Sequence, residues 1–105
     1  MMTDDIKFNA DKAAELLGLL ANPSRLKVLE LITKDEWGVS ELATELGLSQ
    51  SSLSQHLARF RSANLVAVRR DAQNLYYSCS SQDILKVMAT LEEIGKISGS
   101  PKSAA

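Results

Sequence analysis

The chain is poor in several residue types, and each shortage removes a class of protein. A single cysteine cannot close an internal disulfide, and together with a single histidine it is thin material for a metal site. Five glycines and two prolines in 105 residues exclude a collagen-like or linker-dominated chain. No apolar run approaches the ~18 residues of a membrane-spanning helix. The opening MMTDDIKFNAD has neither a basic n-region nor an apolar h-region, so no secretory leader is expected. There is no glycine-rich phosphate loop, no metal-ligand cluster and no nucleophile–base pair at a recognisable spacing, which leaves enzymatic function without a candidate site. What is present, 45% hydrophobic and 24% charged residues, suits one small cytoplasmic globular domain. A domain of this size buries only roughly two thirds of its unfolded surface, so a second subunit would add stability.

The formal net charge of −1 hides an uneven distribution. Residues 1–45 carry 5 basic and 9 acidic groups, whereas residues 46–70 carry Arg59, Arg61, Arg69 and Arg70 and no acid. A local basic face on a mildly acidic body is the electrostatic footprint of a polyanion partner. Read blandly, it is a solvated helix and strand end.

The pattern predicts five helices and one hairpin. Residues 1–8 read as a flexible leader and 98–105, after Ser98-Gly99-Ser100-Pro101, as a disordered tail, with one domain over 9–97. A first helix is expected over about 10–21, with Ala13, Leu16, Leu17 and Leu20 on one face. Asn22-Pro23 then reads as an N-cap with proline in the first helical position, opening a second helix to about 34 that buries Leu26, Leu29 and Leu31 or Ile32. Trp37-Gly38-Val39 is a short extended link. Ser40 reads as the cap of a third helix over 41–46, stopped by Gly47, and Ser49 as the cap of a fourth over about 50–62. The β-rich segments 65–71 and 74–79 flank the turn Asp71-Ala72-Gln73-Asn74. Ser80 and Asp83 form a Ser-x-x-Asp cap for a last helix over about 81–97.

The third and fourth helices joined through Gly47-Leu48-Ser49 make a helix-turn-helix, and the following hairpin makes it a winged one. On the fourth helix Leu53, Leu57 and Phe60 fall together, with Gln55 nearly opposite. Ser51, Ser52, Ala58, Arg59 and Ser62 flank Gln55, and Ser54 and His56 lie at the borders. Glu and Lys are the usual occupants of a merely solvated face; here serines let the backbone approach another surface. Gln55 is able to pair bidentately with adenine in the major groove, and serines serve bases or phosphates. On the hairpin, Arg69 and Arg70 point to opposite faces, so at least one is expected on a phosphate, while Gln73 and Asn74 lie near sugar or minor groove. Tyr76 and Tyr77 likewise diverge, one toward the core. Together with Gln50 and with Arg25 near the start of the second helix, these give the expected double-stranded DNA contacts. His56 is either a packed residue or a phosphate contact.

Several of these stretches resemble the ArsR/SmtB family of winged-helix repressors over about residues 10–97. Ala21-Asn22-Pro23-Ser24-Arg25-Leu26-Lys27-Val28-Leu29 is similar to the start of that family's second helix, and Leu48-Ser49-Gln50-Ser51-Ser52-Leu53-Ser54-Gln55-His56-Leu57 to its recognition helix. Asn64-Leu65-Val66 and the hairpin through Tyr77 resemble its wing. The resemblance implies a homodimeric repressor on a partly palindromic operator. Metal-sensing members carry a cysteine pair in the third helix or Asp and His ligands on the last. Here Glu41-Leu42-Ala43-Thr44-Glu45 lacks cysteine and the last helix lacks histidine, so no metal or other cofactor is expected.

The last helix carries Ile84, Leu85, Val87, Met88, Leu91, Ile94 and Ile97, a stripe too wide for one side of a small domain. With the leucine-rich first helix it reads as a dimer interface through Leu16, Leu17, Leu20, Leu85, Met88, Leu91 and Ile94. Completing the monomer core is the alternative. Cys79 reads as a buried packing residue. A ligand- or thiol-responsive repressor using Cys79, and a winged-helix module that binds protein, are the competing functions.

Overall fold

A computed structural model describes residues 5–97 and the side chains of all of these but Ile97. The expected leader overlaps the described part only at 5–8, and the expected tail 98–105 lies outside the described residues. Five helices and three strands follow in the order α1 (Ala10–Leu20), α2 (Pro23–Ile32), β1 (Trp37–Gly38), α3 (Val39–Leu46), α4 (Gln50–Ser62), β2 (Ala67–Asp71), β3 (Asn74–Ser78) and α5 (Gln82–Ile97). The mainly α, winged helix-turn-helix class expected from the sequence is the one observed.

Local chemistry sets most of the boundaries. Asn9 and Asn22 cap α1 and α2, each side chain accepting from the backbone N–H three residues on at 3.0 Å, and Pro23 opens α2 where its missing N–H costs nothing. Gly47 ends α3 in the left-handed region at φ 67°, so that Leu48 N–H reaches Ala43 O at 2.9 Å. Asn64 does the same after α4 at φ 58°, with Leu65 N–H on Phe60 O at 3.0 Å. The reversal at Gly47 is what turns α4 across α3.

Three expectations are corrected. Ser40 does not cap α3: the helix begins at Val39 and its cap is Gly38, with no side-chain bond. Ser81 rather than Ser80 caps α5, its Oγ accepting from Ile84 N–H at 3.3 Å. The Trp37-Gly38 link is a strand, pairing antiparallel with β3 in the register Trp37↔Tyr77 and Gly38↔Tyr76, so the sheet has the order β1-β3-β2. Sheet pairing ties the wing back to the body of the domain, and Cys79 N–H adds a bond to Ile32 O at 2.9 Å.

The core gathers Val28, Leu29 and Ile32 of α2, Leu42 of α3, Leu53, Leu57 and Phe60 of α4, Tyr77 of β3, Cys79 just after that strand, and Ile84 of α5. On α2 the fully buried residues are Val28, Leu29 and Ile32; Leu26 and Leu31 are half-buried. Of the residues expected between subunits, Leu20 and Met88 are buried in the protomer's own core, and Leu16 and Leu85 are half-buried. Leu17, Leu91 and Ile94 remain 61%, 40% and 51% exposed. The close pairings of elements lie among α2, α3, α4 and the sheet, and α1 and α5 extend from this body. The radius of gyration, 15.7 Å, exceeds the ~13 Å of a compact domain of this length.

Candidate nucleic-acid interface

The outer face of α4 is built from the inside. Burial of Leu53, Leu57 and Phe60 fixes the helix rotation, and that rotation leaves Gln50, Ser51, Ser54, Gln55 and Arg59 exposed. Ser52 is half-buried near the cap, where its backbone N–H donates to Ser49 Oγ at 3.0 Å. Gln50 Nε2 donates to Ser40 Oγ at 3.1 Å, anchoring that amide to the start of α3. Ser40 thus serves the recognition helix instead of capping its own. Spacing along α4 gave no sign of this partner, ten residues away.

A cleft of about 440 Å³ separates α4 from the wing. Gln50 and Ser54 form one wall, Gln73, Asn74 and Tyr76 another, and Gly38 with Glu41 the floor. Gly38 is buried, and a Cβ there would collide with the Glu41 carboxylate and approach Tyr76 Cε1 to 3.3 Å. A larger residue there would first push aside the exposed Glu41 side chain.

The two wing arginines diverge as strand geometry requires. Arg69 pairs in register with Tyr76, and its guanidinium lies 4.7 Å over that ring. Arg69 also binds both carboxylate oxygens of Glu36, with Nε at 3.1 and 3.0 Å and Nη2 at 2.8 Å. Glu36 was not among the residues read from the sequence as part of the site. Arg70 pairs with Leu75 on the core side of the sheet, but at the tip the core has run out, and Arg70 is exposed with no ion pair among the described residues. Tyr77 is the core tyrosine, 4% exposed.

Arg25 of α2 and Arg59 of α4 lie near enough to His56, at the border of the exposed face of α4, to act on its charge. Arg25 Nη1 donates to Leu19 O at 2.7 Å, closing the C-terminal end of α1, while its Nε and His56 Nδ1 are buried without partners. Burial pushes the His56 imidazole below its ordinary value, and the Arg25 and Arg59 guanidiniums push it further the same way. His56 is thus held neutral inside a positive cluster. Burial pushes the Cys79 thiol up, partly offset by a hydrogen bond from the Ser81 backbone, which disfavours the reactive thiolate. Among the described residues no three His, Cys, Asp or Glu are gathered as a metal site.

A recognition helix with a polar, acid-free outer face, beside a sheet-anchored wing with a free arginine at its tip, defines a winged helix-turn-helix protein of the DNA-binding kind. Residues 22–68 match the family model described as "Bacterial regulatory protein, arsR family". The nodulation protein NolR of Rhizobium meliloti is 50% identical over 86 residues, 82% of this chain and 70% of that protein. The crystal structure of NolR from Sinorhizobium fredii superposes with a TM-score of 0.78 at 50% identity, covering 81% of this chain and 85% of that one. HlyU of Vibrio cholerae, named a transcriptional activator, is 38% identical over 90% of this chain and 87% of that protein. A homodimeric winged helix-turn-helix DNA-binding domain from Mycobacterium bovis superposes with a TM-score of 0.72 at 29% identity, covering 83% and 81%. The chain belongs to the arsR family of bacterial regulatory proteins, and it is a transcriptional regulator.

Proposed function

We propose that the protein is a homodimeric repressor that occupies a partly palindromic operator and blocks polymerase sterically. The observation that carries this reading is the outer face of α4, where Gln50, Ser51, Ser54, Gln55 and Arg59 are exposed with no acid among them. Gln55 and Gln50 read base edges, with Ser51, Ser52 and Ser54 on bases or phosphates. Arg59 and Arg70 neutralise phosphates, and Gln73 and Asn74 meet sugar or the minor groove from the wing tip. Arg25 adds positive field and, with the neutral His56, supports the docking surface without reaching the duplex, since Arg25 is spent on Leu19 O. The exposed Leu17 and Leu91, on helices that extend from the body, supply apolar surface for a twofold partner. Such a dimer sets its recognition helices about 34 Å apart, one turn of duplex. The reading involves no catalytic step, no cofactor and no metal, and it places the protein with the chromosome in the cytoplasm.

Selecting bound fragments from source-genome DNA tests it. The expected yield is a set sharing a twofold-symmetric sequence with half-sites one turn apart, bound by two chains. Absence of binding to any duplex at low salt, or binding as a single chain to one half-site, overturns it.

A further inference from the structure

Glu36 is in the turn between α2 and β1, 33 residues from Arg69, and the pairing of β1 with β3 and of β3 with β2 brings the two together. The contact uses both carboxylate oxygens and two guanidinium nitrogens, and the guanidinium is stacked on Tyr76 at the same time. The carboxylate takes the Nε–Nη2 edge of this guanidinium and offsets its charge, so a phosphate would meet only the remaining N–H groups of an already neutralised pair. The hydrogen bond from Arg69 holds the Glu36 carboxyl below the usual carboxylate range, so Glu36 stays charged at neutral pH.

We propose that Glu36 is a positioning residue that keeps Arg69 as a neutralised strut over Tyr76, leaving Arg70 as the wing guanidinium that meets phosphate. This rests on the DNA-binding reading above. Arg69 then stiffens the wing through its stack and its clamp, and contributes no counterion release. An exposed pair of this kind adds little to folding. Its consequence is electrostatic, because each cation committed to phosphate contributes about 0.9 to the slope of log K against log salt.

The experiment is the salt dependence of binding to one fixed duplex by the native chain and by Glu36→Gln, Arg69→Gln, Arg70→Gln and the double variant Glu36→Gln/Arg69→Gln. Arg70→Gln is expected to lower the slope by about one unit, and Arg69→Gln to leave it unchanged. Glu36→Gln frees a guanidinium and raises the slope by about one unit, and the double variant returns it to the native value. A purely structural role for Glu36 would weaken binding without this reversal. Loss of slope in Arg69→Gln with Glu36 in place, or an unchanged slope in Glu36→Gln, overturns the proposal. The Arg69→Gln arm leaves Glu36 intact and is decisive even if the other variants fold poorly. Failure of the native chain to bind any duplex overturns the DNA-binding reading instead.

Discussion

On α4 the apolar residues Leu53, Leu57 and Phe60 are all buried, and the exposed positions are serine, glutamine, alanine and arginine. On α5 the apolar stripe begins inside, with Ile84 and Met88, and then runs on past the core to leave Leu91 exposed; Leu17 of α1 is exposed in the same way. The contrast shows two uses of an amphipathic helix. Where the stripe is as wide as the core it meets, the remaining face is free to be polar and to face a polyanion. Where the stripe outlasts the core, the surplus calls for a second apolar surface.

The largest effect expected from breaking this contrast is at the α1–α5 surface. Leu91→Asp places two carboxylates, one per subunit, on the surface proposed to meet the twofold partner. With only 40% of each Leu91 left to bury, the lost apolar burial is about 1–2 kcal/mol of association, and desolvating two carboxylates adds several kcal/mol more. Sedimentation should show single chains, and binding to a symmetric duplex should lose its cooperativity; an unchanged dimer would place the interface elsewhere. Gln55→Ala on the polar side should cost about 1–3 kcal/mol of discrimination at one A·T position, read from a matched series of operator variants. Equal preference at every base in native and variant would remove Gln55 from the base contacts.

The next effect sharpens the wing. Ala72 opens the two-residue hairpin turn at φ 58°, where a Cβ is strained. Ala72→Gly should raise stability by up to about 1 kcal/mol, the left-handed penalty less the extra freedom of glycine in the unfolded chain; a lower melting temperature would contradict the strain. The smallest effect is a pH dependence. Because the folded chain depresses the His56 value below 6.5, the unfolded state takes up the proton first. The stability contributed by neutral His56 is therefore full above about 6.5 and lost as pH falls through the folded value. Urea midpoints on either side of that pH should converge in His56→Gln; an equal pH effect in native and variant would assign it to another group.

The local devices were legible in the sequence because they act over three or four residues. Asn22-Pro23, Gly47 and Ser49 each satisfy or end a helix through neighbouring atoms, and the i, i+4 and i+7 spacing of Leu53, Leu57 and Phe60 fixed which face of α4 is buried. Ser81 took the cap expected of Ser80 because a one-residue slip leaves the local chemistry nearly unchanged. Trp37-Gly38 was too short to announce a strand, since two residues have no periodicity; its partner β3 makes it one. The Glu36–Arg69 clamp and the Gln50–Ser40 bond join residues distant in the chain, and no spacing rule reaches that far.

Taken alone, the order of residues dictated the helices, the turn between α3 and α4, and the polar face that α4 presents, because hydrogen-bond closure and helical periodicity are settled among near neighbours. The tertiary structure decided which arginines are free and which leucines are spent. Arg69 finds its carboxylate 33 residues away, Arg25 its acceptor across the α1–α2 turn, and Leu20 and Met88 a core, only when separate elements pack together. A charge or an apolar side chain is available to a partner only if the fold has not already satisfied it, and that depends on packing across the whole chain.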